Sequence, residues 1–459
     1  MAKTNVAYRC SECGWASVRW VGRCGECQAW GSVAEVGAAK LKTVASSVPL
    51  SRAVPISEVS SEAYSRTLTG VGELDRVLGG GLVPGEVVLL AGEPGVGKST
   101  LLLDVAAQWA GQGRVALYVS GEESAAQVRL RAERTDGLAE SLYLAAETDL
   151  GTVLGHVEQI RPTLLVVDSV QTIGCADVEG AVGGVSQVRE VTAALVRVAK
   201  SSGMAVVIVG HVTKDGAIAG PRIMEHLVDV VLSFEGDRHA QFRMVRGVKN
   251  RYGAADEVGC FEMSEHGMIE VPDPSGLFTA MHDEPVPGTA VTVTIEGRRP
   301  LVAEVQALVA PVAAEVAPRR VCHGVDSGRV AMILAVLQRR AQVPLYHHDV
   351  YVATVGGAKV IDPAADLGVA VAVASAAVDR SYPQRVVALG EVGLAGELRR
   401  VPGVERRLAE AARLGFELAL VPVGSREKTG SISGLKVVEV ASVAEALASL
   451  DLRRLRVAA

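Results

Sequence analysis

Residues 92–100 read Gly92, Glu93, Pro94, Gly95, Val96, Gly97, Lys98, Ser99, Thr100, and this order of residue types is suited to holding a triphosphate. Glycines at the first, fourth and sixth positions let successive backbone N–H groups curl around one anion. The lysine that follows reaches the β and γ oxygens, and the serine hydroxyl beside it ligates Mg²⁺. An apolar run, VVLLAG (87–92), precedes the loop, and a helical stretch from Ser99 to about Ala110 follows it. The positive end of that helix would then face the same phosphates.

Four cysteines offer a second chemistry. Cys10-x2-Cys13 and Cys24-x2-Cys27 form two knuckles within the first 27 residues. Two such pairs supply four thiolates to one tetrahedral Zn²⁺, whereas a redox pair would need a surrounding βαβ unit that so short a stretch cannot provide. Cys175, Cys260 and Cys322 stand alone and read as small packing residues.

Other candidates follow apolar strands. Asp168 ends TLLVVD, where a carboxylate at the C-terminal edge of a parallel sheet can hold the Mg²⁺ shell. Glu122 and Glu123 follow RVALYVS, and either can polarise an attacking water. His211 and Lys214 come directly after AVVIVG, at the same edge. The run 238–251, RHAQFRMVRGVKNR, carries Arg238, Arg243, Arg246, Lys249 and Arg251 with no acid. By charge alone it is either a solvated strand face or a phosphate-facing patch.

The elements that must position these residues are legible in outline. Continuous apolar strands at 87–92, 114–120, 163–168 and 205–210 alternate with helical stretches, including one near 187–199. That pattern predicts a parallel sheet covered on both faces. VVLSFEG and QFRMVRGVKN are expected as a hairpin at the sheet edge. A Pro-rich break at 271–290 precedes a second α/β unit, with a strand at VTVTIEG, helices near 327–341 and 404–414, and a strand at ELALVP. The expected divisions are a four-cysteine module (1–30), a linker (31–65), an ATPase domain (66–271), a linker (272–288) and a final domain (289–459).

Composition sets the frame. At 459 residues, 49% hydrophobic and 21% charged, the chain can bury two or three cores. The longest strongly apolar stretch, LGVAVAVASAAV (367–378), is shorter than the roughly 18 to 20 residues that span a bilayer. With no apolar leader in MAKTNVAYRC, a cytoplasmic location without membrane contact is the expectation. The net charge of −6 excludes a uniformly basic nucleic-acid coat but not a local basic surface.

GVGELDRVLGGGLVPGEVVLLAGEPGVGKST resembles the opening of a RecA-type ATPase core, and with the cysteine module and Lys249-Asn250-Arg251-Tyr252-Gly253 the chain resembles the bacterial RadA (Sms) family of DNA-repair proteins. The likeness runs over essentially the whole chain, with Tyr252 where the family usually has Phe. It implies an α/β fold: a small zinc ribbon, a RecA-like P-loop ATPase core and a Lon-protease-like α/β domain. It further implies ATP, Mg²⁺ and Zn²⁺ as cofactors, and a DNA-dependent ATPase acting as a ring-shaped helicase on recombination intermediates. Single-stranded and branched DNA, the RecA recombinase and a homo-hexamer are the implied partners.

By this resemblance Lys98, Ser99 and Asp168 fall on the ATP and Mg²⁺ positions, and Glu122 is favoured over Glu123 as the catalytic glutamate. Lys249 and Arg251 are expected to reach the γ-phosphate of a neighbouring subunit. Lys214, Arg222 and Arg246 are expected to contact DNA phosphates.

The Lon likeness raises a rival, an ATP-dependent serine protease. Lon-type enzymes use a serine nucleophile and a lysine base; here Asp362-Pro363-Ala364-Ala365 places Ala364 at the first position and Pro402-Gly403-Val404-Glu405 places Glu405 at the second. Alanine cannot attack a carbonyl, and glutamate does not replace a lysine base. Ser375 lies in an apolar helical run and reads as a packing residue. A third reading is a nucleotide-switched binding protein of the same fold.

Overall fold

The computed structural model describes residues 8–35, 55–58, 65–211, 224–236, 241–279, 284–313, 315–383, 385–429 and 432–452. The chain forms two units that divide at residues 61/62.

In the smaller unit β1 (Tyr8–Cys10) pairs antiparallel with β2 (Ala16–Ser17) and β3 (Val33–Glu35). β3 falls inside the stretch expected as linker from residue 31. It belongs to the module because Val33 is buried against Cys10 and Cys24, and a module this small has few other apolar residues to bury.

Among the described residues the larger unit holds two large sheets and a two-stranded ribbon. The first contains β4 (Val87–Gly92), β5 (Ala116–Ser120), β6 (Leu142–Ala146), β7 (Leu164–Asp168), β8 (Ala205–His211), β9 (Val230–Glu235), β10 (Phe242–Asn250), β11 (Val258–Ser264) and β12 (Gly267–Glu270). Their spatial order is β12-β11-β10-β9-β4-β8-β7-β5-β6. The six strands from β9 to β6 are parallel, and β10, β11 and β12 extend the sheet antiparallel. The expected edge hairpin, β9 and β10, is therefore interior. The sequence reading missed the two further strands because their burial is uneven and a glycine interrupts the first.

Among the described residues the helices covering this sheet are α1 (Gly72–Leu78), α2 (Lys98–Gly111), α3 (Ala125–Arg134), α4 (Leu150–Ile160) and α5 (Val185–Ser202). Alternate residues of β4 feed opposite faces, Val88 and Leu90 packing with α1 and α2 while Val87 and Leu89 pack with α4 and α5. Burial on both faces is why these strands read as continuous apolar runs. Side-chain caps start the helices that the sequence reading passed over. Ser124 and Gln127 form a capping box for α3, and Asp149 accepts from Thr152 N at the start of α4.

The second sheet is built from β13 (Thr289–Glu296), β14 (Arg299–Pro311), β15 (Arg320–His323), β16 (His348–Thr354) and β17 (Val386–Ala388). After a small ribbon of β18 (Glu391–Val392) and β19 (Leu398–Arg399), β20 (Leu418–Pro422) and β21 (Lys436–Val440) complete it, in the order β15-β16-β14-β13-β17-β20-β21. Its helices are α6 (Ser327–Arg340), α7 (Asp366–Val378), α8 (Val404–Arg413), α9 (Arg426–Thr429) and α10 (Val443–Ser449). α7 is the apolar stretch noted above. It is apolar all round because its first ten residues are buried on every side.

The turn between β13 and β14 docks on the first sheet. Buried Arg299 pairs with buried Glu73 of α1, and Arg298 pairs with Glu257 at 3.5 Å. The stretch expected as the second linker is itself anchored. Asp273 pairs with Arg413 at 2.9 Å, and Phe278 meets Phe242 edge-on at 4.8 Å.

Candidate active site

The C-terminal ends of β4, β5, β7 and β8 deliver the sequence-predicted residues to one edge, since Gly92 pairs with His211 and Ser120 with Asp168. Gly92 must lack a side chain, because a Cβ there would lie 2.5 Å from the Phe234 carbonyl oxygen. Gly97, at φ 114, turns the loop into α2 in a left-handed conformation that L side chains rarely adopt. Lys98 is almost wholly buried and donates to the carbonyls of Gly92 and Glu93, both at 2.8 Å. Burial lowers its pKa to about 8, against the opposing pull of Asp168, Glu122 and Glu93. Ser99 and Thr100 occupy the first turn of α2, half-buried, while Glu93, Pro94 and Gly95 are exposed. Val96 is buried, and its carbonyl accepts from the buried Arg243 at 3.0 Å.

Asp168 accepts from the Tyr118 hydroxyl at 2.6 Å. Glu122 accepts from Ser169 Oγ at 2.7 Å and lies 2.9 Å from His211 Nε2. Burial pushes the Glu122 carboxyl up, but the bonds from Ser169 and His211 and the charges of His211 and Lys98 outweigh it, so its pKa is lowered. Glu123 points elsewhere, into an ion pair with Arg131 of α3. Of the two acids, geometry brings Glu122 to the group that contains Lys98 and Asp168.

The hairpin of β11 and β12 adds a cover that the sequence reading did not foresee. A Cβ on Gly97 would lie 2.6 Å from the methyl carbons of both Met263 and Met268. The signal was the pair of methionines flanking Ser264–Gly267, which charge and motif reading pass over.

The basic run does not form one surface. Arg243 is buried beneath the phosphate loop. Arg246, expected at DNA, instead binds Glu296 of the second sheet at 2.7 Å and Glu235 at 3.4 Å, because strand alternation turns it toward the docked turn. Lys249, expected with Arg251 at a neighbouring subunit's γ-phosphate, here donates to the carbonyls of Glu225 and Val228 at 2.6 and 2.8 Å. Among the described cations of the run Arg251 is the exposed one, 54% accessible and 3.3 Å from Asp229. Arg238 lies outside the described residues, as do Lys214 and Arg222.

The rest of that motif shapes the turn presenting Arg251. Asn250 donates to Leu78 O at 3.1 Å and accepts from Tyr252 N at 2.8 Å. The Tyr252 hydroxyl accepts from Lys200 at 3.0 Å, and Arg66 holds the Tyr252 carbonyl.

In the smaller unit the four Sγ atoms of Cys10, Cys13, Cys24 and Cys27 lie within 4.8 Å of one another, with Cys10–Cys27 at 3.7 Å and Cys13–Cys24 at 3.6 Å. A zinc tetrahedron with bonds of about 2.3 Å has edges of about 3.8 Å, so these thiols fit Zn²⁺.

At the positions assigned to a Lon-type dyad, Ala364 is fully buried in the turn Pro363–Ala365, and Glu405 is exposed in the first turn of α8. Asp362 binds buried Arg407 at 2.7 Å. Ser375 is buried, donates to Arg380 O and accepts from Gly288 N at 2.9 Å, a packing role as expected.

No helix of the described residues is long and apolar enough to cross a membrane. Three family models match: an AAA domain over 65–217, a rubredoxin metal-binding domain over 8–35, and subunit ChlI of Mg-chelatase over 347–425. A KaiC-like protein of solved structure from Pyrococcus horikoshii OT3 aligns with 46% of this chain and 100% of its own, at 22% identity and TM-score 0.39. The DNA repair protein RadA of Mycolicibacterium smegmatis is 56% identical, covering 98% of this chain and 97% of its own. The DNA repair protein RadA of Streptococcus pyogenes serotype M1 is 46% identical, over 97% of this chain and 99% of its own. Identity at that level along nearly the full length, with a zinc ribbon, a RecA-like ATPase core and a Lon-like domain in this order, places the chain in the RadA family of DNA repair proteins.

Proposed function

We propose that the chain is an ATP-driven DNA motor that works as a hexameric ring, moving on single-stranded DNA to extend heteroduplex or drive branch migration beside the RecA recombinase. The observation that carries this reading is the separation of phosphate loop and exposed arginine. Gly92 pairs with Phe234 at one end of β9, while Asn250 pairs with Val230 at the other. Arg251 therefore sits on the edge of the sheet opposite to its own nucleotide. A cation so placed serves a neighbouring subunit, as ring motors require.

Within one site, the loop's N–H groups and Lys98 hold the β and γ phosphates of ATP, and Glu122 orients the attacking water. Ser99 and Asp168 would hold Mg²⁺, whose charge offsets that on the phosphates. Arg251 from the next subunit stabilises charge developing on the transferred group. Lys214 and Arg222 contact DNA phosphates in the stretch after β8.

Hydrolysis measured with and without single-stranded DNA tests the reading, together with release of a labelled strand from a branched substrate. DNA should raise turnover and the strand should be released. Turnover indifferent to DNA, with partner binding that follows nucleotide state, would favour a switch. ATP-dependent peptide cleavage would favour a protease, against which stand Ala364, Glu405 and the employed Ser375.

A further inference from the structure

Asp229 is almost fully buried between β9 and the start of β4, and beside its pair with Lys200 of α5 its contacts reach Arg251 and the phosphate-loop strand. Its Oδ2 accepts from Val87 N at 3.1 Å and from Lys200 Nζ at 2.6 Å, and its Oδ1 faces Arg251 Nη1 at 3.3 Å. Its backbone is engaged in the same direction, since Asp229 N donates to Val87 O at 3.0 Å and Arg251 N donates to Asp229 O at 3.2 Å. Lys249 grips the two carbonyls of the turn just before Asp229, and Tyr252 accepts from the lysine that Asp229 holds. Val87 is the first residue of β4 and Gly92 the last, so one rigid strand joins this carboxylate to the subunit's own phosphate loop.

We propose that Asp229 is the positioning residue of the Arg251 finger, its buried carboxylate fixing the guanidinium for a neighbour's phosphate while joining the finger to the strand that carries the subunit's own phosphate loop. The proposal rests on the trans-acting reading of Arg251 given above. The physical case is one of preorganisation. A long arginine that is half exposed loses rotamer freedom when it acts, and a buried anion at fixed distance removes part of that cost beforehand. Lys200 and Val87 N by themselves already satisfy Oδ2 of the buried carboxylate. Here it also takes the motif's exposed arginine, through both side chain and backbone.

The test is Asp229→Asn in the full-length ring, which keeps the shape and removes the charge. DNA-stimulated kcat should fall on the order of 10²-fold, the scale of a misplaced catalytic group, with nucleotide affinity unchanged. The double variant Asp229→Asn with Arg251→Ala should be no slower than Arg251→Ala alone, because a residue acting only through Arg251 has nothing left to position. Mixed rings locate the defect. Asp229→Asn subunits should recover turnover with Lys98→Ala subunits, which lack the phosphate-loop lysine but keep the finger, and should not recover with Arg251→Ala subunits.

Recovery with Arg251→Ala but not with Lys98→Ala would overturn the assignment, placing Asp229 in the service of its own phosphate loop. Full activity of Asp229→Asn, or additive losses in the double variant, would overturn it too. The control mixture of Lys98→Ala with Arg251→Ala tells the two ideas apart. If it fails to recover, the trans-acting finger itself is wrong and the positioning role falls with it. Should Asp229→Asn fail to fold, Asp229→Glu keeps the charge that Lys200 pairs with but moves the carboxylate by one methylene. It should lower kcat by about tenfold, the effect of a displaced positioning group, with the same recovery pattern; unchanged kcat there, or the opposite pattern, overturns the proposal.

Discussion

Lys98 and Arg251 stand at opposite edges of one sheet. Lys98 follows the strand end at Gly92, which pairs with Phe234, and Arg251 follows Asn250, which pairs with Val230 four residues earlier on the same strand. At about 3.3 Å per residue, roughly 13 Å of strand separates the two registers. A guanidinium at that edge cannot share a nucleotide with the lysine of its own chain.

Arg251→Ala should therefore leave nucleotide affinity within about twofold, because the loop, Lys98 and the Mg²⁺ ligands remain. Steady-state hydrolysis with DNA should fall by about 10³-fold or more, as for other arginine fingers. Fluorescent nucleotide titration beside an ATPase assay checks both. If turnover at saturating DNA is unchanged while DNA binding weakens and its salt dependence flattens, Arg251 is a phosphate contact to DNA instead.

The two adjacent glutamates should part company. Glu122→Gln should lower hydrolysis by about 10²- to 10⁴-fold with ATP still bound, the range for a lost general base. Glu123→Gln breaks only the pair with Arg131 and should cost less than about tenfold. Equal losses in single-turnover assays would mean that Glu122's place beside Ser169 and His211 does not decide the chemistry.

Lys98 should be a cost to the nucleotide-free protein. Burial lowers its pKa to about 8 from the usual 10.5 of a lysine, so the fold disfavours the charged form. The penalty is fully present below pH 8 and relieved as pH rises from 8 toward 10.5, where the unfolded chain holds the proton more tightly. Lys98→Met should therefore melt higher than the unsubstituted protein at pH 7 without nucleotide, by on the order of 1–3 kcal/mol, with the gap narrowing toward pH 10. A lower melting temperature at pH 7 would show that the bonds to Gly92 and Glu93 outweigh burial.

Zinc removal should act locally. Chelation, or Cys13→Ser, should release the metal and unfold residues 8–35, since the module's buried apolar residues are few. Hydrogen exchange across the larger unit should stay unchanged, which peptide-level mass spectrometry can follow. Purified protein without zinc and with all four thiols freely reactive would contradict the assignment.

How much of this was readable beforehand depended on the range of the interaction. The phosphate loop, the cysteine pairs and the apolar strands are local patterns of spacing and period, and each came out where expected, with Lys98 at the head of α2 and Asp168 at the end of β7. Arg246 shows the limit. Its charge suited a phosphate contact, but its partner Glu296 lies 50 residues away on another sheet, and no local pattern encodes that meeting.

The sequence by itself thus determined the phosphate chemistry, the zinc ligands and the alternation of strands and helices, because these follow from residue types and short spacings. Only the tertiary structure decided which of two glutamates faces Lys98, and that Lys249 is tied to a turn while Arg251 stays exposed. It alone set Arg251 at the far edge of the sheet from the phosphate loop. That placement follows from β10 running antiparallel to β9, and strand direction is a property of pairing between segments, not of either segment alone.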